Sequence, residues 1–170
     1  MKYNDITNEN SIIKTVSDLL LEKEASLGTI ESCTGGGIAN AFVMLPGASN
    51  FFRGGLITYS NELKSQLAHV SPTTLEKYGA VSEEVVKEMA LNGLEVLNVD
   101  YTIAVSGIAG PSGGSDEKPV GLVWIAIATK NGVVSKKHLF GNDRAENIQQ
   151  SILSAVTLLH TVLTQQNEGV

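Results

Sequence analysis

Segments in which apolar residues recur at helical spacing alternate along this chain with short, continuous apolar runs. The helical spacing predicts helices at residues 8–24, 38–45, 71–79 and 82–97, one that begins at Ser60 or Asn61, and a last one after Arg144. The continuous runs predict strands at residues 27–31, 56–59, 101–105, 120–129 and 133–140. Asn10 or Ser11 is the expected N-cap of the first helix.

The alternation of helices and strands predicts an α/β protein. Asn131 and Gly132 lie between the last two predicted strands, and this dipeptide is a strong signal for a hairpin of antiparallel strands. We therefore expect a three-layer α/β/α sandwich with a mixed, mostly parallel sheet of about five strands. A length of 170 residues fits one domain, so we expect residues 1–170 to form a single unit.

Composition narrows the possible environments and partners. Hydrophobic residues make up 42% of the chain and charged residues 18%, as expected for a globular protein with a buried core. The net charge of −6 argues against a nucleic-acid-binding surface, which requires a basic patch. The apolar runs are too short to cross a bilayer, and the polar N-terminus does not resemble a signal peptide. We therefore expect a cytoplasmic protein that binds neither nucleic acid nor membrane.

The most informative segment is the turn between the first predicted strand and the next helix. Ser32, Cys33 and Thr34 are followed there by three glycines. Such a turn exposes backbone N–H groups that suit an anion, although the same pattern is typical of a tight turn whose hydroxyls only cap the helix. A second glycine-rich loop begins at Ser106, after another predicted strand. Ligands bind outside the carboxyl ends of parallel strands in open α/β sheets, so we predict one site that Ser32 and Ser106 share.

Neither a metal centre nor a catalytic histidine is indicated elsewhere in the chain. His69, His138 and His160 match no metal-binding or triad pattern, and a structural or surface role is the more common one for such residues. The single cysteine excludes an internal disulfide and a Cys/His zinc site. Four carboxylates could support a divalent ion, but their spacing does not require one: Glu31, Glu62, Asp116 and Asp143. We predict no metal and no cofactor.

A nucleophilic serine without a histidine needs another base, and a lysine serves when burial lowers its pKa. Lys64 is the best-placed candidate because it follows a strand end, and Tyr59 could relay a proton or fix the geometry. The ordinary alternative is a solvent-exposed lysine. Short-chain dehydrogenases also pair Tyr with Lys, but with three intervening residues instead of the four found here. Cys33 is a competing nucleophile, and chemistry alone does not choose between Ser32 and Cys33.

Several short motifs follow one another along nearly the whole chain. They are Glu31-Ser-Cys-Thr-Gly-Gly36, Thr58-Tyr-Ser-Asn-Glu62, Gly79-Ala-Val-Ser82, Ser106-Gly-Ile-Ala-Gly-Pro111, Gly113-Gly-Ser115, Lys118-Pro-Val-Gly121 and Gly141-Asn-Asp-Arg144. With this combination, in this order, the chain resembles the CinA C-terminal domain family. One departure is Asn142, since Gly-Asp-Arg is the more usual form of the last motif.

The resemblance implies a hydrolase. Members of the family that stand alone are similar to nicotinamide-mononucleotide amidases (deamidases), which hydrolyse the carboxamide to the acid and release ammonia for pyridine-nucleotide salvage. The resemblance also implies a homo-oligomer. Longer members carry an extra N-terminal domain, for which we expect no room in this chain.

The resemblance further assigns roles to individual residues. It makes Ser32 the nucleophile, Lys64 the base and Tyr59 the helper of that base, and it gives Cys33 a structural role. Arg144 becomes the partner of the substrate's 5′-phosphate. We expect N–H groups of the Gly35-Gly36 turn to stabilise the oxyanion. The predicted substrate-binding residues are Thr34, Gly35, Gly36, Ser106, Gly107, Gly110 and Arg144.

Two other functions are compatible with the same motifs. One is a non-catalytic module that binds a nucleotide or acts as a regulator in competence or DNA damage, and the other is an amidase with a different substrate. The presence of Ser32, Tyr59 and Lys64 together favours an enzyme over a degenerate binding module.

Overall fold

In the computed structural model, which describes residues 11–165, helices and strands alternate as predicted. The helices are α1 (Ile12–Glu22), α2 (Gly37–Val43), α3 (Asn61–Ala68), α4 (Pro72–Tyr78), α5 (Glu83–Leu97) and α6 (Arg144–Gln165). The strands are β1 (Leu27–Glu31), β2 (Phe52–Ile57), β3 (Tyr101–Gly107), β4 (Leu122–Thr129) and β5 (Gly132–Leu139). Ser11 caps α1, because its hydroxyl accepts the N–H of Lys14. The alternative cap Asn10 and the predicted first turn of this helix, residues 8–10, lie outside the described residues.

The strands form one mixed sheet in the order β2-β1-β3-β4-β5. β1 pairs in parallel with β2 and β3, whereas β3–β4 and β4–β5 are antiparallel, so two of the four pairings are parallel. The carboxyl ends of β1, β2 and β3 therefore meet at one edge of the sheet, where the predicted site should lie. The register pairs Glu31 with both Ile57 and Val105, which places the residues after these strand ends side by side.

Helices cover both faces of the sheet, and the predicted α/β/α sandwich is confirmed. On one face, α1, α2 and α6 pack through residues such as Leu20, Phe42 and Val156. On the other face, α3, α4 and α5 pack through residues that include Met89. Adjacent residues of β3 point into opposite layers, as Ile103 and Ala104 do, and both are fully buried. This is the burial expected of a strand with helices on both sides.

The second strand begins earlier than predicted. We expected residues 56–59, but β2 runs from Phe52 and includes Gly54 and Gly55, which have low intrinsic preference for strands. A Cβ atom at Gly55 would lie 2.2 Å from the Thr29 hydroxyl of β1. The glycine is therefore present because two backbones approach closely, which is a tertiary constraint that a local pattern does not reveal.

No helix in the described part of the chain is long and apolar enough to cross a membrane.

Candidate active site

Ser32 and Lys64 come together at the carboxyl edge of the sheet. The N–H of Ser32 donates to the Val105 carbonyl, so Ser32 continues the β1–β3 ladder one residue past the end of β1. Lys64 lies in the first turns of α3, which Ser60 caps by accepting the N–H of Leu63. The Lys64 Nζ donates to the Ser32 Oγ at 3.0 Å. A serine hydroxyl in contact with an amine is the arrangement expected of a nucleophile and its base.

Lys64 is buried, with only 1% of its surface exposed. Besides Ser32, its Nζ contacts two backbone carbonyl oxygens, that of Thr58 at 2.8 Å and that of Tyr59 at 3.4 Å. Burial disfavours the charged amine and lowers the pKa of Lys64 to about 8. About a tenth of this lysine is therefore neutral at pH 7 and able to accept a proton, and the neutral fraction rises to about half at pH 8.

The Cys33 thiol has the opposite character. It is buried beside β3, where a Cβ atom added to Gly107 would lie 3.1 Å from its sulfur. Burial raises the pKa of Cys33 to about 12. The thiol therefore stays protonated near neutral pH, and a protonated thiol is a poor nucleophile. This environment favours Ser32 over Cys33 as the attacking group.

A cavity of about 180 Å³ opens at this edge of the sheet. Its lining residues are Ser32, Cys33, Tyr59, Asn61, Lys64, Ala80, Val81, Ser106, Gly107, Ala109 and Arg144. Six of the predicted site residues are among them: Ser32, Tyr59, Lys64, Ser106, Gly107 and Arg144. Four others do not line the cavity: Thr34, Gly35, Gly36 and Gly110. The cavity brings together the ends of β1 and β3 with the starts of α3 and α6.

Four lining residues were not predicted as parts of the site: Asn61, Ala80, Val81 and Ala109. Ala80 and Val81 lie in the Gly79-Ala-Val-Ser82 motif, which had no assigned role. That motif was the available signal, since Gly79 ends α4 and Ser82 caps α5, whereas neither helix requires Ala80 or Val81. The structure ties it to the site through Ser106, whose hydroxyl donates to the Ala80 carbonyl at 2.7 Å. Ser106 is fully buried and holds this wall of the cavity in place.

The turn after Ser32 does not offer the N–H groups that we predicted for the oxyanion. The Gly36 N–H donates to the Glu31 carboxylate, and the Gly35 N–H donates to the Ser32 carbonyl. Thr34 also uses its hydroxyl on Glu31, at 2.6 Å. The Thr34 hydroxyl and the N–H groups of Gly35 and Gly36 thus already have acceptors within the protein, which leaves the predicted oxyanion role of Gly35 and Gly36 without free donors. Binding of the substrate by Thr34, Gly35 and Gly36 stays a prediction.

The phenol of Tyr59 does not lie between Lys64 and Ser32. Its side chain is 58% exposed, and its hydroxyl accepts a hydrogen bond from Nη2 of Arg144 at 3.1 Å. Only the backbone carbonyl of Tyr59 contacts Lys64. The expected proton relay through Tyr59 thus lacks the contacts it requires, and the tyrosine side chain belongs to the surroundings of Arg144.

Hydrogen bonds from Arg144 and from Asn147 hold the start of α6 at the cavity wall. Its Nη1 donates to the Gly110 carbonyl at 2.7 Å, so Gly110 positions Arg144 instead of lining the cavity. Three residues further along α6, the side-chain amide of Asn147 donates to the carbonyls of Ala109 and Gly141, both at 3.0 Å. The first turn of α6 is therefore fastened to the loop that follows β3.

Among residues 11–165, the histidines lie apart from this cavity. None of the three histidines lines the cavity described above, and no group of three or more potential metal ligands occurs among residues 11–165. A larger cavity of about 420 Å³ includes Ala25, Tyr101 and Lys130 in its lining. It lies at the amino ends of β1 and β3, on the opposite edge of the sheet from Ser32 and Lys64.

Known proteins resemble this chain in both sequence and structure. The family model of the CinA C-terminal domain matches residues 9–163. The chain is 44% identical to the nicotinamide-nucleotide amidohydrolase PncC of Escherichia coli, over 85% of this chain and 88% of that protein. It is 46% identical to a CinA-like protein of Fervidobacterium nodosum, over 85% of this chain but 35% of that protein. The chain thus spans about a third of the length of several curated relatives that it matches.

Solved structures agree with the sequence comparison. The competence/damage inducible protein CihA of Agrobacterium tumefaciens superposes with a TM-score of 0.87 at 35% identity, covering 90% of this chain and 93% of that one. A CinA superfamily protein of Escherichia coli gives a TM-score of 0.84 at 32% identity, covering 95% and 97% of the two chains.

Proposed function

Because the chain belongs to the CinA C-terminal domain family, we propose that it is an amidohydrolase that converts nicotinamide mononucleotide into nicotinate mononucleotide and ammonia. The named activity of the PncC relative supplies the reaction class. The activity would lie within a single amidase domain and would contribute to pyridine-nucleotide salvage.

The observation that carries the proposal is the contact between Lys64 and Ser32 inside the cavity. A hydrolase of a carboxamide needs a nucleophile, a base that also protonates the leaving amine, and a pocket for the acyl group. A binding module has no need of a buried lysine whose pKa is lowered to about 8. Perturbed pKa values of this kind concentrate at catalytic sites.

In the first half of the proposed reaction, neutral Lys64 takes the hydroxyl proton of Ser32. The Ser32 Oγ attacks the carbon of the substrate's carboxamide and gives a tetrahedral intermediate. The Lys64 ammonium then protonates the departing nitrogen, the C–N bond breaks, and ammonia departs. The acyl group remains bound to the Ser32 Oγ as an ester. Lys64 thus acts as a base and then as an acid, which a pKa close to the working pH favours.

The two backbone carbonyls near Lys64 would orient it for this task. A neutral amine has two N–H groups and one lone pair. With its N–H groups directed at the carbonyls of Thr58 and Tyr59, the lone pair is left to face the Ser32 hydroxyl. Tyr59 would therefore help to orient Lys64 through its backbone carbonyl, and its side chain is not needed for this.

The oxyanion needs donors other than those of Gly35 and Gly36. In strand-to-helix turns that carry a nucleophile, the N–H of the following residue commonly fills this role. Here that residue is Cys33, and among the described residues neither its N–H nor that of Thr34 donates to another residue. We assign the Cys33 N–H as the first donor to the oxyanion.

In the second half, a water molecule takes the place of ammonia. Lys64 removes a proton from this water, which attacks the ester carbon. The Lys64 ammonium returns the proton to the Ser32 Oγ as the ester bond breaks, and the nicotinate product leaves. The nucleophile and the base end in their starting protonation states.

Arg144 is the group proposed to recognise the phosphate of the nucleotide. A guanidinium binds phosphate through two parallel hydrogen bonds, and Arg144 is exposed at the wall of the cavity that holds Ser32. This arrangement predicts a preference for the phosphorylated nucleotide over the corresponding nucleoside. A charge-assisted hydrogen bond contributes about 1.5–3 kcal/mol, which corresponds to a preference of roughly ten- to a hundredfold.

The proposal is tested by measuring ammonia release from nicotinamide mononucleotide and from nicotinamide riboside by the purified protein. We expect turnover of both, with kcat/KM higher for the mononucleotide by roughly the factor that one charge-assisted contact supplies. Binding of the mononucleotide without any release of ammonia would instead support a non-catalytic binding module. Release of ammonia only from unrelated amides would retain the mechanism but reject the substrate.

A further inference from the structure

Glu31, the last residue of β1, is a buried carboxylate directly before Ser32 in the chain. Only 1% of its surface is exposed. It accepts four hydrogen bonds, and all four come from the eight residues that follow it. The donors are the Thr34 hydroxyl at 2.6 Å, the N–H groups of Gly36 and Ile38 at 3.0 Å each, and the N–H of Ala39 at 2.8 Å.

This carboxylate fixes the path of the chain around Ser32. The segment after Ser32 folds back so that its donors converge on the two oxygens of Glu31. The backbone of Ser32 is held as well, since its N–H donates to Val105 and its carbonyl accepts the N–H of Gly35. Gly35 and Gly36 make this path possible, with φ angles of 59° and 94° that residues with a side chain rarely adopt.

A carboxylate suits this position and an uncharged side chain does not. Three of the four donors are backbone N–H groups at the start of α2, where the helix dipole favours a negative charge. An ionised carboxylate accepts at both oxygens, whereas an amide presents an NH₂ group at one of them. The NH₂ group of an amide would therefore face one of these donors instead of accepting from it, and the turn would have to shift.

We propose that Glu31 is a positioning residue whose carboxylate holds Ser32 within reach of Lys64. The proposal rests on the function proposed above. Glu31 also occupies the N–H groups at the start of α2, so the phosphate of a substrate must bind elsewhere, as the assignment to Arg144 requires. Glu31 does not contact the lysine and acts on the reaction only through the backbone of Ser32.

The direct test is Glu31→Gln, a change of nearly constant volume. We expect kcat to fall roughly tenfold to a hundredfold, the loss typical of a misplacement of about 1 Å. KM should change by no more than about twofold, because Arg144 and the cavity walls are untouched. The pH at which the rate reaches half its maximum should stay where it is, since that value belongs to Lys64. Partial unfolding would also lower the apparent kcat at unchanged KM, so kcat is divided by the folded fraction, which far-UV circular dichroism measures at the assay temperature.

Glu88 offers a matched control away from the cavity. Its carboxylate likewise accepts a backbone N–H, that of Ser71, and a hydroxyl, that of Thr74. Glu88→Gln should lower the thermal stability while leaving kcat unchanged.

Thr34→Val removes a single donor from Glu31 and should lower kcat by a smaller factor than Glu31→Gln. Should Glu31→Gln not fold, Thr34→Val decides the question.

A second readout does not depend on the substrate. A fluorophosphonate labels an activated serine: the Oγ–P bond forms, the P–F bond breaks, fluoride leaves, and the Oγ proton passes to Lys64. Mass spectrometry of the digested protein then gives the labelling rate of Ser32. We expect Glu31→Gln to slow labelling by about the same factor as kcat. Labelling that depends on Glu31 in a protein inert towards nicotinamide mononucleotide would reject the proposed substrate and keep the positioning role.

Three results would overturn the role of Glu31. The first is folded Glu31→Gln protein with wild-type kcat and wild-type labelling. The second is an equal loss of kcat in Glu88→Gln. The third is a wild-type protein whose Ser32 is not labelled at all, because there would then be no activated serine to position.

Discussion

The hydroxyl of Tyr59 accepts a hydrogen bond from Arg144, a residue 85 positions later in the chain, while the backbone carbonyl of Tyr59 faces Lys64. One residue therefore contacts two functional groups through two different parts. Its side chain belongs to the proposed phosphate site, and its backbone belongs to the proposed catalytic pair. This division makes the roles of Tyr59 separable by mutation.

Tyr59→Phe removes the phenolic oxygen and leaves the carbonyl in place. We expect kcat to fall less than about tenfold and the main change to appear in KM, because only the contact with Arg144 is lost. Steady-state kinetics with nicotinamide mononucleotide measure both parameters. A fall of kcat by about a thousandfold at unchanged KM would mean that the phenol takes part in proton transfer after all.

Arg144→Ala should raise KM for nicotinamide mononucleotide by roughly ten- to a hundredfold, since one charge-assisted contact with phosphate is lost. Arg144→Lys should recover part of the affinity, because it keeps the charge but not the planar fork. Nicotinamide riboside carries no phosphate and serves as the control, so its kinetics should be the same for all three proteins. Equal losses with both compounds would assign Arg144 a purely structural role.

The rate should depend on pH through a single group. The neutral form of Lys64 is the active base, and burial lowers the pKa of Lys64 to about 8. Activity should therefore be low at pH 6, rise through pH 8 and level off above it, as measured by kcat/KM between pH 6 and 10. A rate that is already maximal at pH 6 would contradict a lysine base.

The same lysine should make folding stability depend on pH. The folded-state pKa is about 8 and the ordinary value is 10.5, so between these values the unfolded chain binds more protons and stability rises with pH. Lys64→Met lacks this effect, and we expect it to be more stable than the wild type by about 3 kcal/mol at pH 7. Urea unfolding at pH 7 and at pH 10 measures the difference, which should shrink at the higher pH. A constant difference would show that burial of the charge is not its cause.

Much of the fold could be predicted because its signals are local. The apolar runs of β1 and β3 and the Asn131-Gly132 turn each report on their own few residues, and together they define a mixed sheet with helices on both faces. The start of β2 could not be predicted, since Gly55 is selected by its approach to Thr29 on a neighbouring strand. The spacing of apolar residues does not reveal such a close approach between two segments that are distant in the chain.

The site was predicted in part for the same reason. Ser32 and Lys64 each follow a strand end, and parallel strands bring such ends together. The hydrogen bond from the Gly36 N–H to the Glu31 carboxylate could not be predicted, because it depends on how the turn folds and not on the order of residues. The direction of the Tyr59 phenol was missed likewise, since it depends on the rotamer and on Arg144. The expected homo-oligomer and the cytoplasmic location stay predictions from the sequence.

The central claim is that Ser32 is the nucleophile and Lys64 its base. Ammonia release from nicotinamide mononucleotide by the wild type, Ser32→Ala, Lys64→Ala and Cys33→Ala tests it most directly. We expect Cys33→Ala to stay active and the other two to lose activity by a factor on the order of a thousand or more, as removal of a nucleophile or its base does in other hydrolases. An inactive Cys33→Ala beside an active Ser32→Ala would contradict the account and make the thiol the nucleophile.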